Sequence, residues 1–129
     1  MILDFIMKLR KMRYVYMNNR DRICLEYILE HYQELISTYK QLKDYEDFMN
    51  NYIFRKAIVF DFIQIGENIN KLEEEVRNKI NKVDIRGIVD FRNRLVHGYG
   101  DIDFKIVWNA VSGSLPRLVN QVKQILNDN

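Results

Sequence analysis

Arg92-Asn93-Arg94-Leu95-Val96-His97-Gly98-Tyr99 places an arginine, a histidine and a tyrosine within eight residues. Arginine carries a permanent charge and a fork of donors that matches phosphate. Histidine takes or gives a proton near neutral pH. Together they can position and cleave a phosphodiester without a metal ion. The tyrosine adds a phenolic oxygen suited to nucleophilic attack, hydrogen bonding or covalent modification. The chain has only two histidines, His31 and His97, so one beside two arginines and two glycines requires an explanation.

The spacing constrains how these groups can meet. Five residues on a helix correspond to a rotation of about 140° between Arg92 and His97. A continuous helix keeps them off a common row. Either the helix unwinds near Val96-His97-Gly98, or the residues act across a cleft, or two copies of the motif face one another in a symmetric dimer. Each residue also has a structural alternative. Arg92 can be a surface cation, His97 a helix-end residue favoured by the C-terminal dipole, and Tyr99 an aromatic closing the end of a bundle.

Helices must carry the motif. With five glycines and one proline in 129 residues, the chain has few turn formers. Apolar residues recur at helical spacing from about Arg20 to Leu42 (Cys24, Ile28, Tyr32, Leu35, Tyr39), with a cap at Asn18-Asn19-Arg20-Asp21. Asp44 to Asn51 reads as a turn. A second helix is expected from about Tyr52 to Val76, with Ile58, Phe62, Ile65, Ile69 and Leu72 inward and Asp61, Gln64, Asn68 and Lys71 as the opposing polar stripe. A third runs from about Asp84 to Val96. The fourth begins at Asp101 or Asp103, either of which can cap it, and continues through Val107, Val111, Leu115, Leu118, Val122 and Ile125. Pro116 inside that pattern, after Ser112-Gly113-Ser114, predicts a kink or two successive helices. The expected fold is all-α: an antiparallel up-and-down four-helix bundle with a kinked last helix.

Composition removes several classes of function. One cysteine rules out an intramolecular disulfide framework and suits a reducing, cytoplasmic setting. With only two, distant histidines, no dedicated metal site or cofactor is expected. Residues 1–16 carry Lys8, Arg10, Lys11 and Arg13 against Asp4, a net of +3, which leaves −1 for the rest of a +2 chain. A nucleic-acid contact would therefore rest on a local patch. The apolar run at residues 2–7 is too short to span a membrane and lacks the layout of a signal peptide. Residues 1–16 are read as an extension, either upstream of a true start at Met17 or an amphipathic arm for a partner. The domain proper is read as 17–129.

Five further positions carry expectations. Glu67 follows Gly66, which would let another helix approach, and it can hold Arg92 or Arg94 or else lie at the helix surface. His31 is expected to be a satisfied core or interface histidine, and Cys24 a small hydrophobe. Asp101 and Asp103 can cap the last helix or pair with the arginines.

Arg92-Asn93-x-x-x-His97-x-Tyr99 resembles the Arg-x4-His-x-Tyr motif of the HepT-like branch of the HEPN superfamily. Arg55-Lys56-Ala57 leading to Gln64-Ile65-Gly66-Glu67 is similar to that branch's second helix. Asp101-Ile102-Asp103 with Val107-Trp108 and Leu115-Pro116 is similar to its last. The likeness covers about residues 18–127, and residues 1–16 have no counterpart. It implies an all-helical homodimer with the motif at the dimer cleft, acting as a toxin of a two-gene toxin–antitoxin system and cutting RNA without metal. The implied partner is an MntA-type nucleotidyltransferase that transfers AMP to the motif tyrosine. On this likeness Arg92 and His97 are catalytic and Tyr99 is the AMP acceptor, with Asn93, Arg94 and Glu67 supporting the site or contacting RNA. Two other readings stay open: a non-catalytic helical partner that accepts AMP while the motif is structural, and a nucleotide-binding bundle that uses Arg92 and Arg94 on a phosphate.

Overall fold

A computed structural model describes residues 1–6, 17–98 and 102–128. Met7–Tyr16, Tyr99, Gly100, Asp101 and Asn129 lie outside the described residues, as do the side chains of Val96 and His97. All regular structure among the described residues is helical. The helices are α1 (Asn19–Tyr39), α2 (Tyr45–Asn50), α3 (Tyr52–Asn70), α4 (Glu74–Arg77), α5 (Lys82–His97), α6 (Phe104–Ser112) and α7 (Ser114–Asn127). Residues 2–6 form a further helical turn with Ile2, Leu3 and Phe5 exposed.

Local chemistry sets the boundaries. The side chain of Asn18 accepts from the amide of Arg20 at 2.9 Å and opens α1. Asn81 accepts from Val83 at the start of α5, and Asp103 from Lys105 at the start of α6. Asp103 is thus the cap of the fourth segment. The expected break near Pro116 is a division into two helices at Gly113. Pro116 itself lies in the first turn of α7, where a missing N–H costs nothing.

Three expectations need correction. Asp44 to Asn51 is not a plain turn. The Asp44 carboxylate accepts from the Asp47 amide at 2.8 Å and Phe48 is fully buried, so cap and anchor together give the helix α2. The second long helix ends at Asn70 instead of reaching Val76. There the Asp21 carboxylate captures the amide of Glu73 at 3.0 Å, turning the chain before the short helix α4. The polar stripe expected on α3 is also partly interior, because Asp61 and Asn68 are buried. Asn68 is satisfied by donating to the carbonyl of Gln64 at 2.8 Å.

Helices α1 and α3 form the centre of the core with Leu25, Ile28, Leu35, Ile58, Phe62, Ile65 and Ile69, and α5, α6 and α7 cover them. Two of the residues that carry the family likeness are structural. Trp108 of α6 lies 4.9 Å from the Tyr39 ring and 5.2 Å from Phe48. Arg55 of α3 donates to the carbonyl of Met49 and stacks 5.0 Å above Phe104.

One contact decides where the motif helix sits. A Cβ at Gly66 of α3 would stand 3.2 Å from Cγ2 of Ile88 and 3.5 Å from Cβ of Arg92. Phe62, one turn earlier, packs edge-on against Phe91 at 5.2 Å. The α3–α5 approach is therefore built from a missing side chain beside a filled one. Gly66→Val should push α5 away and lower stability by about 1–3 kcal/mol, the usual cost of overpacking, as measured by urea denaturation. An unchanged midpoint would show that this approach is not tight.

Candidate active site

Glu67 comes directly after the close-contact glycine, so its carboxylate lies beside the motif helix. It forms an ion pair with Nε of Arg92. Nη1 of Arg92 donates at 3.0 Å to Oδ1 of Asn93. The guanidinium is therefore held from two sides while its side chain keeps 30% exposure, and Glu67 keeps 32%. One anion and one amide fix its direction but leave donors for an incoming anion.

Helix α5 stays helical through His97 and is followed by Gly98. Of the alternatives for bringing Arg92 and His97 together, unwinding within the motif is not seen, since the helix ends only at Gly98. Gly98 is in extended backbone, not the left-handed conformation that favours glycine. Arg92 and His97 therefore stay on separate rows of a continuous helix. Asn93 connects the rows, since it bonds Arg92 and stands four residues before His97, the spacing of helical neighbours. Arg94 is on another side of α5. With Phe91, Leu95 and Asp103 it lines a small cleft towards α6. The structure thus assembles Glu67, Arg92 and Asn93 and leaves Arg94 apart. Tyr99 and Asp101 fall outside the described residues.

Nothing in the residue pattern points to the anchors of α5. Asp84, buried in its first turn, accepts from Nε of Arg117 at 3.0 Å and from the Gln121 amide at 2.9 Å, both on α7. Gln121 also accepts from the Asn81 amide at 2.6 Å. These bonds fix the N-terminal end of the helix whose other end carries the motif. An aspartate near a helix start reads as a capping residue, so a link 33 residues further along the chain could not be foreseen.

His31 is a satisfied histidine, as expected. Nδ1 is 3.0 Å from Oδ1 of Asp61 and 3.9 Å from Glu34, and the ring meets Phe60 edge-on at 6.1 Å. Burial raises the Asp61 carboxyl above its ordinary range, with the nearby Glu34 adding to the rise and the His31 bond opposing it. Cys24 is buried, and its thiol is likewise raised by burial.

Comparison with known proteins gives the same assignment. Residues 28–125 match the family described as Ribonuclease HepT-like. A protein of Caldanaerobacter subterraneus subsp. tengcongensis is 34% identical over 79% of this chain and 90% of its own length. One of Methanocaldococcus jannaschii is 32% identical over 83% of this chain and 98% of its own. Both carry the name "Putative RNase". "Probable ribonuclease HepT" of Thermococcus cleftensis is 22% identical over 71% of this chain and 84% of its own. No solved structure matches.

The raised carboxyl at Asp61 gives a signed expectation. A raised acid pKa means the folded protein binds a proton more readily than the unfolded chain, so this group costs stability as pH rises through the raised value. Asp61→Asn keeps an acceptor for His31 and removes that cost. The stability of the variant relative to wild type should increase as pH rises from the ordinary carboxylate range upward. Urea melts across that range test it, and a relative stability that falls with pH would contradict it. From its matched span and its all-helical architecture, this chain belongs to the HepT-like ribonuclease family.

Proposed function

We infer that the chain is the toxin of a toxin–antitoxin pair, a homodimeric endoribonuclease that cuts RNA without a metal and is silenced by AMP addition at Tyr99. The observation that carries this reading is the Glu67–Arg92–Asn93 network at the head of the motif. It presents a preset cation beside the position from which His97 follows.

The chemistry available to these groups is transesterification. His97, with a reference pKa of about 6.5, takes the proton of a 2′-hydroxyl. The freed oxygen attacks the adjacent phosphorus and the bond to the 5′-oxygen breaks; that oxygen takes a proton from solvent, giving a 2′,3′-cyclic phosphate and a 5′-hydroxyl end. Arg92 stabilises the charge that gathers on the phosphoryl oxygens. Glu67 and Asn93 hold Arg92 in place, and Arg94 contributes an RNA contact from the neighbouring face.

The exposed row of α3 supports the dimer in this reading. Ile53, Ala57 and Phe60 lie on one side of that helix, with Phe60 55% exposed, and the row continues to Glu67. A second copy on this face would bring two motif helices to one cleft and relieve the separation of Arg92 from His97. Residues 1–16 are an extension to this unit.

Silencing is a single displacement. The Tyr99 oxygen attacks the α-phosphorus of ATP on an MntA-type nucleotidyltransferase, pyrophosphate leaves, and the tyrosine acquires a phosphodiester. A negative group added within the motif opposes an RNA phosphate. The near-neutral charge of residues 17–129 favours one other reading, a non-catalytic AMP acceptor.

Two measurements decide between them. Co-expression with the neighbouring nucleotidyltransferase gene should add whole AMP increments to the intact mass, and Tyr99→Phe should abolish them. Unmodified protein in EDTA should cut RNA, with His97→Ala slower by about 10²-fold or more, the usual contribution of a general base. AMP addition without any RNA cleavage would establish the acceptor reading instead.

A further inference from the structure

A cavity of about 310 Å³ lies beside the motif network, between the C-terminal end of α3, helix α4 and the first half of α5. Its volume is at the lower end of the ~300–1,000 Å³ range of ligand pockets. Arg77 and Lys82 line it against a single acid, Glu74, and neither cation belongs to an ion pair among the described residues. Asn70 and Asn78 add amides, while Ile85 and Val89 supply apolar walls.

Helical register connects this cavity to the site. Lys82, Ile85, Val89 and Asn93 follow one another along one side of α5, and Lys82 is about 15 Å from Arg92 at 1.5 Å per residue. On α3, Asn70 is one turn beyond Glu67. The cavity is therefore the continuation of the Glu67–Arg92–Asn93 surface along the same two helices.

We propose that this cavity is a nucleotide subsite that holds the RNA strand flanking the scissile phosphate. Arg77 and Lys82 take backbone phosphate, the Ile85 and Val89 walls receive a ribose or base face, and the amides offer hydrogen bonds to base edges or sugar. The chain is near neutral as a whole, so RNA binding must rest on a local site, and Arg77 and Lys82, without an ion pair among the described residues, offer two cations beside an apolar wall. The subsite rests on the ribonuclease reading, because it acts on a strand already held at Arg92.

The test is fluorescence anisotropy with 5′-fluorescein-labelled oligouridines of twelve and three nucleotides, in a His97→Ala background that does not consume them. Arg77→Ala/Lys82→Ala should weaken binding of the 12-mer by about tenfold and flatten its log Kd against log salt plot by about one to two, as expected for lost phosphate contacts. Binding of the 3-mer should hold. Arg77→Lys/Lys82→Arg should retain 12-mer affinity, which separates charge from folding. An unaltered 12-mer affinity and salt slope would overturn the subsite even if wild-type protein cuts RNA. If the parent protein binds neither oligonucleotide and wild type cuts no RNA, the subsite and the ribonuclease reading both fall.

Discussion

The arrangement depends on a missing side chain. Gly66 lets α5 settle against α3 closely enough that a Cβ there would press on the Ile88 side chain and touch Cβ of Arg92. The next residue is the carboxylate that binds Arg92. Close packing and charge pairing are thus produced by two adjacent residues. A larger residue at 66 would lengthen the distance that Glu67 must bridge, so the site cannot be tuned independently of the core.

The core supplies the stiffness that this contact needs. Phe62 packs on Phe91 one turn before Gly66, and Asp84 ties the start of α5 to Arg117 and Gln121. The motif helix is held in its middle by apolar contact and at its N-terminal end by hydrogen bonds to a buried carboxylate. A guanidinium on such a helix pays little reordering cost when an anion arrives, which is the basis of electrostatic preorganisation. Arg92 retains about a third of its exposure, so it stays available to a ligand.

Much of this was legible in the chain. The apolar spacing of Ile58, Phe62, Ile65 and Ile69 marked α3 because burial imposes a helical period. Asn18 and Asp103 were readable as caps because capping is local chemistry. Gly66 was readable as a close approach, while Glu67 was open between a partner for Arg92 or Arg94 and a surface carboxylate. Helix α2 escaped because its polar sequence hides one buried anchor, Phe48. The end of α3 escaped because the residue that turns the chain, Asp21, is 52 positions away from the amide it captures. Burial of Asp61 was hidden for the same reason: its partner is His31 on another helix. Long-range polar pairs leave no periodic trace.

The central claim is that Glu67 acts on RNA cleavage only by holding Arg92. A double-mutant cycle on the cleavage rate in EDTA tests it directly, using Glu67→Gln, Arg92→Ala and the combined variant. The account predicts that Glu67→Gln slows cleavage in the wild-type background and has no further effect once Arg92 is alanine. Equal and additive losses in both backgrounds would contradict it, because Glu67 would then contribute to the reaction without Arg92.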